Sequence, residues 1–178
     1  MSQDFEVIKS DLIFKGVILS LYVDKIKSPN GRILEREVVE HLDAVGVAAL
    51  TKNKEILLVR QYRHAVRTSL LEIPAGLLED TESPSECAIR ELKEETGYLT
   101  GKVQKLAEFY TSAGFTNEKL HLFFTDDIEE GEPEREPGEE DMSLEVIPLD
   151  KAIEMIYRGD IKDGKTVIAI LMAARQVG

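Results

Sequence analysis

The 178-residue chain is long enough for one globular domain with a sizeable core and short for two. With 43% hydrophobic and 31% charged residues it is neither disordered nor collagen-like, and a formal net charge of -12 without a basic patch excludes a nucleic-acid backbone or an anionic membrane as an obvious partner. Most of that charge is local, because ten acids and a single arginine lie between Asp126 and Asp141.

A lone cysteine, Cys87, rules out an intrachain disulfide, and the first residues lack the basic and then apolar character of a secretion signal. The longest nearly apolar run, Val167 to Ala174, is far short of the ~18 residues of a membrane span. A soluble protein of a reducing cytoplasm is predicted.

In chain order, period-two and apolar patterns predict strands over Val17 to Val23, Leu34 to His41, Ala44 to Leu50 and Ile56 to Gln61, with a Pro29-Asn30-Gly31 turn among them. A helix follows, with Ser83 as N-cap, Pro84 in its first turn, Glu86 completing a capping box and Gly97 at its end. Further strands are predicted over Lys102 to Tyr110, Leu120 to Phe124 and Leu144 to Ile147, and helices near Asp150 to Arg158 and Lys165 to Gln176. The acidic stretch from Asp126 to Asp141, with its Pro and Gly residues, reads as a loop.

The chemistry is concentrated between Gly76 and Tyr98: Gly76, five residues, Glu82, seven residues, then Arg90-Glu91-Leu92-Lys93-Glu94-Glu95-Thr96-Gly97-Tyr98. On an α-helix Glu91, Glu94 and Glu95 fall within an arc of roughly 100°, since residues three and four apart are neighbours. Arg90 and Lys93 are expected to point into adjoining sectors rather than between the acids, which leaves a repulsion that a cation relieves. Carboxylates without nearby His or Cys are hard ligands, so Mg2+, or Mn2+, is the predicted ion. Three glutamates on one helix are by themselves more often a solvated face. Their joint spacing with Gly76, Glu82, Arg90 and Gly97 outweighs that reading.

This pattern resembles the Nudix box, with Tyr98 standing where an aliphatic residue is usual. The resemblance implies an α/β fold, an α/β/α sandwich with a mixed central sheet, here with an N-terminal antiparallel strand region, in a single domain over residues 1–178 with the box at 76–98. It implies that Glu91, Glu94 and Glu95 are metal ligands together with the carbonyl of Ala75, that Arg90 orients the acids, that Glu82 supports the loop or an outer-shell water and that Gly76 lets the backbone bend. The ion would screen a diphosphate, polarise its oxygens and lower the pKa of an attacking water.

Arg60-Gln61-Tyr62-Arg63, followed by Leu71-Glu72-Ile73-Pro74-Ala75-Gly76, looks like the ADP-sugar branch of the family, and Tyr110 to Glu118 is similar to the segment that marks ADP-ribose pyrophosphatases, with Ala113 where a Pro is usual. Arg63 is favoured over Arg60 as a phosphate ligand, because strand alternation puts only one of the two on a given face. Arg63, Glu72, Phe14 and Gly76 form the expected substrate-binding set, Phe14 by stacking on adenine, although on its own it reads as a core residue. The catalytic set is Glu140, Glu139 and Glu94. Glu140, with Glu139 as the alternative, is expected to serve the attacking water and to add a metal ligand. Cys87 reads as a buried thiol, and His41, His64 and His121 are too dispersed for a zinc site.

The resemblance further implies a homodimer built on strands within about residues 1–41 and Mg2+-dependent hydrolysis of ADP-ribose to AMP and ribose 5-phosphate. The alternatives are a Nudix hydrolase of another nucleoside diphosphate derivative or triphosphate, and a domain that binds ADP-ribose as a sensor without cleaving it.

Overall fold

The structure, a computed structural model, describes residues 4–134 and 141–178. Among them run β1 (Glu6–Lys15), β2 (Leu19–Lys27), β3 (Ile33–His41), β4 (Ala44–Ala49), β5 (Glu55–Arg63), β6 (Thr68–Glu72), β7 (Ala75–Leu77), α1 (Pro84–Thr96), β8 (Gln104–Tyr110), β9 (Lys119–Thr125), β10 (Ser143–Pro148), α2 (Leu149–Arg158) and α3 (Gly164–Val177). The chain divides into two compact units, one of Met1–Asp43 with Phe109–Lys119, the other of Ala44–Glu108 with Leu120–Gly178.

The first unit is an antiparallel sheet in the order β1-β2-β3. Its second hairpin closes at Gly31, whose φ of 81° is accessible to glycine and whose N–H donates to the Ser28 carbonyl at 2.8 Å. The register of β1 shifts between Val7 and Lys9 and again between Leu12 and Phe14. Those irregularities break the alternation that a sequence pattern relies on, so β1 escaped prediction. The segment after β8 is stitched to β3: Val39 N–H donates to the Phe115 carbonyl at 2.7 Å and His41 N–H to Asn117 Oδ1 at 2.9 Å.

In the second unit β4 pairs with β9 in parallel and with β7 antiparallel, in the order β7-β4-β9-β8, while β10-β5-β6 forms an antiparallel sheet. Alternation along β4 sends Val45, Val47 and Ala49 to one face, where they meet Cys87, Ala88 and Leu92 of α1 and Leu57 of β5. On the other face Gly46 lies so near Ile73 that a Cβ would approach its Cδ1 to 2.7 Å. With α1 and α3 both packed on β4, the strand is buried on both faces, which explains its almost wholly apolar sequence. The chain is thus a mixed α/β fold, as expected from the element order. No helix among the described residues is long and apolar enough to cross a membrane.

Candidate active site

The helix that bears the acids is held at both ends by local chemistry. Ser83 Oγ accepts the Glu86 N–H at 3.3 Å and Glu86 Oε2 accepts the Ser83 N–H at 2.8 Å, which closes a reciprocal capping box. At the far end Gly97 adopts φ 82° and donates to the Lys93 carbonyl at 2.8 Å. A Cβ on Gly97 would stand 2.7 Å from the Gly131 carbonyl oxygen, so space as well as conformation demands glycine there.

Between these caps one face of α1 enters the core through Cys87, Ala88 and Leu92, all fully buried. The acids border that face rather than oppose it: Glu91 is 8% and Glu95 2% exposed. Burying carboxylates is costly unless they are compensated; the Ala75 N–H donates to Glu95, and the charge that compensates Glu91 comes from Arg90. Its Nη1 donates to Glu91 Oε1 at 2.7 Å and to Glu94 Oε2 at 2.8 Å, and its Nη2 donates to Glu82 Oε1 at 2.7 Å and to the Leu77 carbonyl at 3.3 Å. Arg90 therefore reaches between the acids, contrary to the sector expectation. The Cβ direction fixes where a side chain starts, but a guanidinium on a long stem spans the adjacent sector and finds the i+4 acid. Lys93 does turn away, to Glu134 at 2.8 Å.

Hydrogen bonding to Glu82 holds the Arg90 guanidinium well above its ordinary pKa, and the same contact holds the Glu82 carboxyl below its own. Glu82 also accepts the Glu79 N–H at 3.1 Å, so it braces the loop that leads into α1. Burial, with the charge of Glu82, pushes the Cys87 thiol up and leaves it inert. Tyr98 packs against the core cluster, so its departure from the aliphatic pattern is a packing change.

Gly76 is the tightest point. A Cβ there would lie 1.8 Å from Glu91 Oε1 and 2.5 Å from Oε2, a space the carboxylate itself fills. Next to it the Ala75 N–H donates to Glu95 Oε2 at 3.2 Å. Gly76, Ala75, Glu91, Glu94 and Glu95 are thus gathered where β7 meets α1. Among the described residues no three His, Cys, Asp or Glu side chains stand as a ready metal cage, since Arg90 Nη1 is shared by Glu91 and Glu94. The oxygen-only donor set and the glycine cradle nevertheless fit a hard divalent cation.

A second cluster lies at the ends of β5 and β6. Arg63 grips Glu72 with two parallel bonds, Nε to Oε1 and Nη2 to Oε2, each 2.8 Å, while Arg60 pairs with Glu145 of β10 at 2.6 Å. Glu72 is 1% exposed and also accepts from Lys165 Nζ. Burial pushes the Glu72 carboxyl up, but the hydrogen bonds and charges of Arg63 and Lys165 outweigh it and leave the group below its ordinary value. Only Ile73 and Pro74 separate Glu72 from Ala75, so one short segment joins the two clusters, and the charge of Glu95 is felt at Arg63.

Of the remaining expected residues, Phe14 lies in the other unit on β1, 58% exposed. It is not a core residue, because among the described residues β1 pairs with β2 alone and its apolar side chains are left in the open. Glu139 and Glu140 lie outside the described residues. Lys165 was missed, since nothing in its sequence neighbourhood marks a lysine whose partner is 93 residues away.

Fold and site together define a mixed α/β domain with an acidic helix suited to a divalent cation and, a few residues along the chain from its contact at Ala75, a buried carboxylate gripped by Arg63 and Lys165. The NUDIX domain model matches residues 40–169, and the chain belongs to the Nudix family. It is 39% identical to an ADP-ribose pyrophosphatase of Bacillus subtilis, over 95% of this chain and 92% of the relative. It is 40% identical to a methanol dehydrogenase activator of Bacillus methanolicus, over 93% of this chain and 90% of the relative. A crystal structure of an ADP compounds hydrolase shares the fold, with a TM-score of 0.86 at 20% identity, covering 98% of this chain and 95% of that one.

Because Glu72 has a lowered pKa in the folded state, its ion pairs stabilise the protein fully above the ordinary carboxylate value and are lost as pH falls through the folded-state value. Glu72→Gln is therefore expected to cost about 3 kcal/mol at pH 7 in urea unfolding, with the gap to wild type closing below pH ~4. A pH-independent gap would contradict the ion-pair account.

Proposed function

We propose that the chain hydrolyses ADP-ribose to AMP and ribose 5-phosphate with Mg2+ as cofactor. The observation that carries this reading is the complete set of box acids around the Gly76 cradle, in a chain similar over nearly its whole length to an ADP-ribose pyrophosphatase. Water adds its oxygen to one phosphorus, the bond from that phosphorus to the bridging oxygen breaks, and the proton of the water leaves to a base.

Glu91, Glu94, Glu95 and the Ala75 carbonyl would hold the ion, which when bound would screen the diphosphate charge, polarise a phosphoryl oxygen and acidify water. Arg90 orients Glu82, Glu91 and Glu94 through its ion pairs with them. Arg63, fixed by Glu72, offers the outer edge of its half-exposed guanidinium to a phosphoryl oxygen. Phe14 stacks on the base, and Glu140 or Glu139 takes the proton from water. The whole chain acts as one functional domain in the cytoplasm, and strands within residues 1–41 pair two copies, a reading supported by the exposed Val7, Ile8, Leu12 and Ile13 on β1.

A second reading, favoured by the likeness to the methanol dehydrogenase activator, is a domain that acts on another enzyme. Initial rates with Mg2+ across ADP-ribose, other nucleoside diphosphate sugars and nucleoside triphosphates separate the two. ADP-ribose is expected to be the fastest substrate, and Glu94→Gln to lower its turnover by about 10² or more with the fold intact; preference for a triphosphate, or no cleavage of any compound, overturns the proposal. Sedimentation equilibrium is expected to give a dimer, and a monomer at micromolar concentration would remove the role given to the N-terminal strands.

A further inference from the structure

Glu72 meets two cationic side chains, Arg63 and Lys165, rather than one. Its Oε2 accepts from both Arg63 Nη2 and Lys165 Nζ, and Lys165, only 17% exposed in its side chain, also contacts Asp163 Oδ2 at 3.1 Å. Asp163 is the N-cap of α3, where Oδ2 accepts the Thr166 N–H at 3.0 Å and the Thr166 hydroxyl at 2.6 Å. Thr166 Oγ1 in turn accepts the Ile73 N–H at 2.9 Å. The first turn of α3 is therefore tied twice to adjacent residues, to the Glu72 carboxylate through Lys165 and to the Ile73 backbone through Thr166.

The two ties differ in consequence. The Thr166 tie secures backbone. The Lys165 tie sets the orientation of a carboxylate whose other occupant is the guanidinium fork of Arg63. A carboxylate gripped from one side only is free to swing with its arginine, whereas one pinned by an ammonium on a helix has a single rotamer, and the fork bound to it inherits that fixity. Arg63 Nη1 has no bonding partner among the described residues, so its outer edge is the part available to an anion.

We infer that Lys165 is a positioning residue for the diphosphate, acting through Glu72 to hold the Arg63 guanidinium at a fixed place and angle. The inference rests on the reading of Arg63 as a phosphate ligand. Uniform binding lost with Arg63 orientation raises KM and leaves the chemical step nearly alone.

Steady-state kinetics with ADP-ribose and Mg2+, together with thermal melts, test it on Lys165→Met, Lys165→Arg, Thr166→Val, Glu72→Gln and the Glu72→Gln/Lys165→Met double variant. Lys165→Met is expected to raise KM about 10-fold with kcat within about 2-fold of wild type, and Lys165→Arg to restore most of the loss. Thr166→Val is expected to lower the melting temperature with KM unmoved. In the Glu72→Gln background Lys165→Met is expected to add nothing further, as it must if Glu72 is the only route. Arg63→Lys, which lacks the fork, serves as a second background with the same expectation should Glu72→Gln not fold. An unmoved KM in Lys165→Met, a KM rise equally large in Thr166→Val, or an undiminished effect of Lys165→Met in those backgrounds overturns the inference while wild-type turnover stands. Wild-type protein without ADP-ribose turnover overturns the functional reading and the inference with it.

Discussion

The backbone at Gly76 passes so close to Glu91 that a Cβ there would displace the carboxylate, and the rest of the site is arranged around that approach. It needs β7 paired to β4 in a fixed register, with Val45 opposite Gly76 and Gly46 opposite Ala75. It needs α1 seated on the same strand through Cys87, Ala88 and Leu92. And it needs a cation beside the buried Glu91 carboxylate, which Arg90 provides while also bonding Glu82 and Glu94.

The segment from Glu72 to Gly76 then acts as a hinge of charge. At one end a buried carboxylate holds Arg63 and Lys165; at the other, backbone meets Glu95 and Glu91. A diphosphate has two needs, a cation on its bridging region and donors on its outer oxygens, and the chain sets groups suited to each a few residues apart. The overall charge of -12 would repel such an anion, so recognition of one would have to come from local cations.

What the sequence made legible was what is written locally. Ser83, Pro84, Glu86 and Gly97 act on neighbours, and α1 runs from Pro84 to Thr96 as its caps required. Strands with clean alternation were found; β1 was hidden by its register shifts, and β6 and β7 by brevity and by Pro74 between them. Arg90 was assigned to the wrong sector because helical angle ignores side-chain length. The contacts of Lys165 are long-range and leave no periodic trace, so only the folded chain shows that α3 reaches the Arg63–Glu72 pair. Phe14 looked like core from composition alone, and the edge position of β1 left it exposed.

The central claim is that the Gly76 approach shapes Glu91 into a divalent-cation ligand. Calorimetric titration of wild type and Gly76→Ala with Mn2+, alongside thermal melts, tests it most directly. Wild type is expected to bind the cation and Gly76→Ala to bind it at least ~10-fold more weakly, with the variant still folded. Equal affinity in the two proteins, or no binding in wild type, would contradict it.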